Sequence, residues 1–294
     1  DGITAPQMSE KKSRDILSRT RSSFGYQWRE FKEISSEDES HFLNYIHPVK
    51  PSFFKGKVGL DAACGFGRHL FFSGQYGAKL AVGMDFSDAI ISSKENTEAL
   101  ANTRIVRGSV YDVPFSPECF DYIYCIGALH HMPDPEGAFS ELLKYIKPGG
   151  SIFTWVFSKK RFRLNAMLEF VRSLTTKMPY GPLKALCFLV ASIDFGFFLF
   201  PYRCLKWIPF IERMVPDRIK LYARFPFHTC YADWFDRLSV PIRFFYDVEE
   251  MEGWAGRAGL ENVMISPTGL YGWRLYGEKK LNHGATIIPE KEHS

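Results

Sequence analysis

Val58-Gly-Leu-Asp-Ala-Ala-Cys-Gly-Phe-Gly67 is the stretch that decides the fold. A short apolar run ends in an acid, Asp61, and passes into a loop of small residues before a helix-like segment opens at Arg68. Downstream, Leu80-Ala-Val-Gly-Met84 is closed by a second acid, Asp85. Two buried strands, each ending in a carboxylate and joined by a helix, form half of a nucleotide pocket. Glycine lets the backbone approach a ligand, and the second carboxylate can accept from both hydroxyls of a ribose. A lone Gly-x-Gly loop also serves any tight strand-to-helix turn, so the reading depends on the segments downstream and their register.

Strands expected at 57–61, 79–85, 103–107, 120–126 and 151–157 alternate with helices at 67–76, 87–101 and 134–146, the last closed by Pro148-Gly-Gly150. Such alternation predicts βαβ units and a mostly parallel sheet. The pattern breaks over 158–230. It resumes with an amphipathic helix over 247–259 and two closing strands near 261–266 and 271–277. Upstream, a helix is expected near Glu10–Arg19, then the aromatic segment Phe24-Gly-Tyr-Gln-Trp-Arg-Glu-Phe31, then one or two short helices between Ile34 and Ile46. The chain divides into an N-terminal helical arm (1–50), a core (51–157), a hydrophobic helical insert (158–230), a C-terminal completion of the core (231–280) and a tail (281–294).

With 294 residues, 24% charged and 46% hydrophobic, the chain has the composition of a globular protein with ample core. A net charge of +4 without a concentrated basic stripe argues against nucleic acid as a partner. The six cysteines form no Cys-x-x-Cys pair, so buried free thiols in a reducing, cytoplasmic setting are expected, with no disulfide and no metal.

Further motifs come in order: Val106-Arg-Gly-Ser-Val-Tyr-Asp-Val-Pro-Phe115, Phe120-Asp-Tyr-Ile-Tyr-Cys-Ile-Gly-Ala-Leu-His-His-Met-Pro-Asp134, Leu142-Leu-Lys-Tyr-Ile-Lys-Pro-Gly-Gly150 and Ile152-Phe-Thr-Trp-Val-Phe157. This set resembles the class I S-adenosylmethionine-dependent methyltransferases, in particular the type 11-like small-molecule O-methyltransferase branch. The resemblance covers 57–157 tightly and 245–279 loosely. It implies an α/β fold: a Rossmann-like seven-stranded sheet, mostly parallel with an antiparallel last strand, helices on both faces, and a largely helical cap.

The same resemblance implies S-adenosylmethionine as cofactor and S-adenosylhomocysteine as product. It assigns the methionine end to Asp61 and the loop Ala63, Cys64, Gly65 and Gly67. It assigns the ribose to Asp85, one adenine face to Phe86, and the adenine edge to Ser109, Val110 and Tyr111. Ile126 and Gly127 would line the same pocket. Tyr26 and Trp28 lie in a segment that in relatives folds over the cofactor; a hydrophobic staple against the core is the other reading. Two departures stand out. Ala63 occupies a place where the first glycine is common, a replacement that fits at negative φ, and Ser109 stands where an acid is common.

His130 and His131 come after the fourth strand at its carboxyl end, where open α/β sheets place their ligands. A hydroxyl acceptor has to lose a proton, and an imidazole titrating near neutrality suits that task, with His130 narrowly preferred over His131 as the base. The expected reaction is O-methylation of a small, largely apolar molecule. C-methylation is the nearest rival, since the same histidine could take a proton from carbon. A non-catalytic partner of this fold is the third reading. The Asn/Asp-Pro-Pro-aromatic motif of amino-base enzymes is missing, and Gly65-Phe-Gly67 lacks the third glycine of a dinucleotide fingerprint.

The insert carries Leu183-Lys-Ala-Leu-Cys-Phe-Leu-Val-Ala-Ser-Ile-Asp-Phe-Gly-Phe-Phe-Leu-Phe200. Interrupted by Asp194 and Gly196, it is short for the roughly 20 apolar residues of a membrane span. A buried cap over the active site, a homodimer contact and a peripheral membrane-surface segment are its three readings.

Overall fold

The computed structural model describes residues 9–159, 166–269 and 272–281. The first residues of the arm, the start of the insert and nearly all of the tail lie outside them.

Seven strands form one sheet: β1 (Val58–Ala62), β2 (Leu80–Asp85), β3 (Thr103–Arg107), β4 (Phe120–Ile126), β5 (Ile146–Phe157), β6 (Leu260–Pro267) and β7 (Gly272–Lys279). Their order is β3-β2-β1-β4-β5-β7-β6, and β7 runs antiparallel to both neighbours, as expected. The order reverses between β1 and β4, so the loops leaving those strands diverge and open a crevice at their carboxyl ends.

Strand β4 shows why the sheet is covered twice. Ile123 and Cys125 point to one core, with Leu60, Met84, Phe139 and Trp254. Tyr122 and Tyr124 point to the other, with Phe42, Phe54, Phe72 and Phe153. This period-two alternation within a continuous apolar run is the mark of a strand buried on both faces. Gly59 of β1 makes room for it, because a Cβ there would stand 1.9 Å from the Tyr122 ring.

Outside the insert, three boundaries differ from the sequence expectation. Helix α3 (Arg68–Gln75) matches, but α4 (Ile90–Thr97) is shorter than 87–101: the Thr103 hydroxyl donates to the carbonyls of Thr97 and Leu100 where the chain turns into β3. Helix α5 (Pro135–Leu143) ends early. Pro148-Gly-Gly150 lies inside β5, where the pairing with β4 shifts register and Gly149 takes φ +75°.

The third difference is at the N-terminus. Helix α1 (Glu10–Glu30) is one helix of 21 residues running through the aromatic segment. The helix expected near Glu10–Arg19 continues past Gly25, which does not break it. Gly25 serves as a contact, since a Cβ there would meet the Asp88 backbone nitrogen at 3.2 Å where α1 crosses the loop after β2. Helix α2 (Ser36–Tyr45) opens with a capping box between Ser35 and Asp38 and buries Phe42.

The insert is helical throughout its described part: α6 (Ala166–Thr175), α7 (Tyr180–Asp194), a π turn (Phe195–Leu199), α8 (Phe200–Leu205), α9 (Pro209–Met214), α10 (Asp217–Tyr222) and α11 (Phe227–Ser239). It thus runs on to Ser239. From Tyr180 to Leu205 the helix is continuous over 26 residues, long and apolar enough to cross a membrane by length and composition alone. Asp194 does not interrupt it, because its carboxylate turns inward to Arg218 at 3.0 Å and to the Trp234 indole at 2.9 Å. Helix α12 (Val248–Arg257) then leads into the closing hairpin. All six cysteines are free.

Candidate functional site

The crevice between the β1 and β4 loops deepens into a cavity of about 610 Å³, roofed by α1 and by α10–α11 of the cap. That size lies within the roughly 300–1,000 Å³ of small-molecule sites.

Its floor begins at the β1 loop. The Cys64 N–H donates to the Met84 carbonyl at 3.0 Å, and the Gly67 N–H to the Cys64 carbonyl at 2.9 Å, which folds the loop back toward β2. Gly65 takes φ +55°, and a Cβ there would stand 3.3 Å from the Trp28 indole. Helix α1 therefore closes directly onto the loop. Ala63 takes φ +61°, contrary to the expected negative value. The left-handed conformation costs a non-glycine residue about 1–2 kcal/mol, so the loop holds its shape against that preference.

Asp85, only 6% exposed, lines the cavity at the end of β2. One oxygen accepts from the Gly65 N–H at 2.9 Å; the other accepts from the Ser87 N–H and hydroxyl, both at 2.7 Å. A carboxylate offers roughly four acceptor positions. Three are taken, which orients the group and leaves capacity for a ligand hydroxyl. Phe86 comes next on the same wall. Ser109 and Val110 line it too, with the Tyr111 N–H donated to the Ser109 hydroxyl at 3.2 Å. The backbone of Val110 is thus better placed than that of Tyr111 to meet an adenine edge.

The opposite wall holds the histidines. After Gly127, at φ +78°, the chain makes one short turn over Leu129–His131. Nδ1 of His131 lies 2.8 Å from the Ile242 carbonyl. A carbonyl only accepts, so Nδ1 carries the proton and Nε2 of the neutral ring carries the lone pair. His130 is fully buried beside Phe157, ring centroids 4.0 Å apart, and Trp155, 5.7 Å away. Both histidines border the cavity.

Thirteen of the sixteen expected site residues line this cavity. Tyr26, Asp61 and Gly67 do not. The Tyr26 ring faces the cap, stacked on Tyr180 at 4.8 Å, while its neighbour Trp28 reaches the site. Gly67 caps α3 at φ +83° and packs on Ser93. Asp61 is 2% exposed under the loop, and its Oδ2 has no protein partner.

Burial and then the Asp85 charge hold the Asp61 carboxyl well above the usual carboxylate range, against weaker pulls from Arg68 and the Leu70 N–H. A raised folded-state pKa means the folded chain binds that proton more tightly than the unfolded chain. Stability is therefore lost as pH rises from the unfolded value toward the folded one. Asp61→Asn removes the loss. Without ligand, its thermal midpoint is expected to exceed wild type at about pH 8 and to converge with it near pH 4; a wild-type midpoint equal to or above that of the variant at the higher pH would refute this.

Residues missed in the sequence come from α1, from the cap and from α2, α3 and β5, which add His41, Tyr45, Arg68, His69, Trp155 and Phe157 to the lining. Thr20, Phe24 and Gln27 stand at i, i+4 and i+7 on the cavity face of α1. Phe24 meets His131 edge-on at 5.3 Å. Gln27 is fully buried with neither amide atom bonded to protein, and the Thr20 hydroxyl is likewise unpartnered. That spacing is a detectable signal only once the helix is known to continue past Arg19. From the cap, Tyr222, Phe225 and Tyr231 add aromatic walls.

Residues 60–154 match a methyltransferase domain family. The sterol 24-C-methyltransferase of Schizosaccharomyces pombe is 32% identical over 124 residues, 40% of this chain and 32% of that protein. A demethylmenaquinone methyltransferase of Staphylococcus epidermidis is 34% identical over 101 residues, 33% of this chain and 42% of that protein. The chain thus spans well under half the length of these curated relatives. A chain of the Haloferax volcanii complex containing the Trm112 methyltransferase activator superposes with a TM-score of 0.51 over 92% of this chain and 99% of its own length, at 13% identity, which speaks for the fold. The residues present fit the cofactor of that family: a glycine that admits only backbone beside Trp28, a carboxylate at the end of β2 with acceptor capacity left, and an unpartnered buried amide on α1. Residues 60–154 of this chain thus match a methyltransferase domain, and that match together with the sheet order and the cavity supports a class I S-adenosylmethionine-dependent methyltransferase.

Proposed function

We propose that this protein methylates a sizeable, largely apolar small molecule at a hydroxyl oxygen, with His131 as general base. The observation carrying this reading is that one cavity joins Asp85 and Gly65 at one end to His131 at the other, under a roof of aromatic side chains. Bound S-adenosylmethionine supplies an electrophilic methyl group on a sulfonium. The chain has to hold the two partners in line, and alignment is worth roughly 7–11 kcal/mol of barrier. Asp85 takes the ribose hydroxyls, and Phe86 and Val110 frame the adenine. Trp28 covers the loop and keeps water out. Nε2 of His131, its tautomer set by the Ile242 carbonyl, takes the acceptor's proton. The free thiols are consistent with a cytoplasmic enzyme, and the mild net charge with an acceptor that is not nucleic acid.

Gln27 offers both a donor and an acceptor, the complement of an amino acid's carboxylate and ammonium, and its place beside Trp28 assigns it to the methionine end. An unpartnered buried amide costs about 1–3 kcal/mol. Gln27→Leu is therefore expected to leave the ligand-free thermal midpoint unchanged or higher, while weakening S-adenosylhomocysteine binding about tenfold. Unchanged calorimetric affinity would remove Gln27 from the cofactor site.

A second reading, transfer to carbon, is favoured by the sterol 24-C-methyltransferase among the relatives. One experiment tests both. The protein is incubated with S-adenosylmethionine labelled with ¹³C in the methyl group and a panel of hydroxylated apolar acceptors. The chemical shift of the transferred carbon distinguishes O-methyl from C-methyl. Cofactor binding without transfer to any acceptor would overturn the acceptor class proposed here.

A further inference from the structure

The inward and outward faces of the Tyr180–Leu205 helix differ sharply. Inward, Leu183, Cys187 and Ala191 are buried, the first two packing with Phe235 and Leu238 of α11, and Lys184 pairs with Glu30 of α1. That face is committed to the fold along its length, so the helix is not placed to cross a bilayer. Yet only 28% of its most apolar window is buried. The outward face carries Phe188, Phe197 and Phe200, and beyond the helix it continues through Trp207 and Phe210, the exposures of Phe197 and Trp207 both reaching 76%.

Charge is arranged to match. Between residues 185 and 205 there are two charged side chains, Asp194 and Arg203. Asp194 is buried against Arg218; Arg203 turns in to the carbonyls of Ala223 and Phe225. The outward face is therefore uncharged. Its rim is basic, with Lys177 at one end and Lys206 and Arg213 at the other, all exposed. The nearby acids Glu212 and Asp217 share Lys220, at 3.8 and 3.6 Å, and Glu212 also accepts from the Tyr202 hydroxyl.

We propose that this outward face docks on a bilayer bearing anionic phospholipid, with Phe197, Trp207 and Phe210 seated at the headgroup–acyl boundary and Lys206 and Arg213 on the headgroups. An aromatic, apolar stripe edged by lysine and arginine is the composition of interfacial helices. A second copy of this chain would bring another basic rim; an anionic surface brings the complementary charge. The docking does not depend on the identity of the acceptor. If the acceptor is apolar as proposed above, the same cap would roof the cavity from one side and lie on the acceptor's solvent on the other.

The test uses the full chain and extruded vesicles of phosphatidylcholine with or without phosphatidylserine, read by flotation. Wild type is expected to float with phosphatidylserine vesicles, less with phosphatidylcholine alone, and less as salt rises. The triple variant Phe197→Ser/Trp207→Ser/Phe210→Ser is expected to lose at least about tenfold in vesicle affinity while keeping wild-type S-adenosylhomocysteine binding, a readout of fold and core that none of the three residues touches. Wild type that does not float, or a triple variant that floats equally well, overturns the proposal. Concentration-dependent dimerisation abolished by the triple variant, with no vesicle binding, would assign the face to a second copy and overturn it as well. Failure of cofactor binding in wild type would count against the methyltransferase reading alone.

Discussion

Asp85→Ala is expected to weaken S-adenosylhomocysteine binding by at least about a hundredfold in calorimetric titration. Hydrogen bonds to a charged acceptor contribute about 1.5–3 kcal/mol each, and the carboxylate is proposed to accept two from the ribose. At 1.4 kcal/mol per tenfold, losing both exceeds a factor of a hundred. A second loss adds to the first, because Asp85 also holds the Gly65 N–H and Ser87 in place, so the loop that forms the cofactor floor loosens. Asp85→Asn separates the two effects. The amide can keep an oxygen toward Gly65 or Ser87 but loses the charge, so its affinity should fall between alanine and wild type. If Asp85→Ala, shown folded by its thermal transition, bound as tightly as wild type, the ribose assignment would be wrong and the site would have to be redrawn around Ser109 and Val110.

The parts of this site that could be read from sequence are those where local chemistry and fold agree. Asp61 and Asp85 each end a short apolar run, and in an open parallel sheet that places both at the carboxyl edge, which is where they are. His130 and His131 obey the same logic after β4. Proximity to the edge is nevertheless coarser than contact. Asp61 is buried rather than on the cavity wall, and the loop after it holds Ala63 and Gly65 at positive φ, which residue types alone did not announce.

The α1 face was hidden for a different reason. The sequence predicts a helix only near Glu10–Arg19, and Gly25 beyond it lowers helix propensity by about 1 kcal/mol relative to alanine. Close packing of α1 against Asp88 overrides that preference, and only in the continuous helix do Thr20, Phe24 and Gln27 share one side. The long cap helix was obscured in the same way by Asp194. A carboxylate in an apolar run suggests an interruption, and its partner Arg218 lies 24 residues on, a distance no helical periodicity can anticipate.

His131→Ala is expected to lower kcat by about 10²–10⁴-fold on a hydroxyl acceptor, the usual contribution of a general base, while S-adenosylhomocysteine affinity stays at the wild-type value. The wild-type rate should rise with pH as the imidazole loses its proton, and the variant should lose that limb, since no other group is proposed to accept the proton. His130→Ala makes the contrast. Its ring is fully buried against Phe157 and Trp155, so truncation leaves a hole, and a lower thermal midpoint is the expected consequence. The Ile242 carbonyl fixes the His131 tautomer, and the His130 ring packs on Phe157 and Trp155. A His130 variant that folds normally but is inactive, beside an active His131 variant, would reverse the assignment. Full activity in both would remove general-base catalysis from the mechanism and leave alignment of the two substrates to supply the rate.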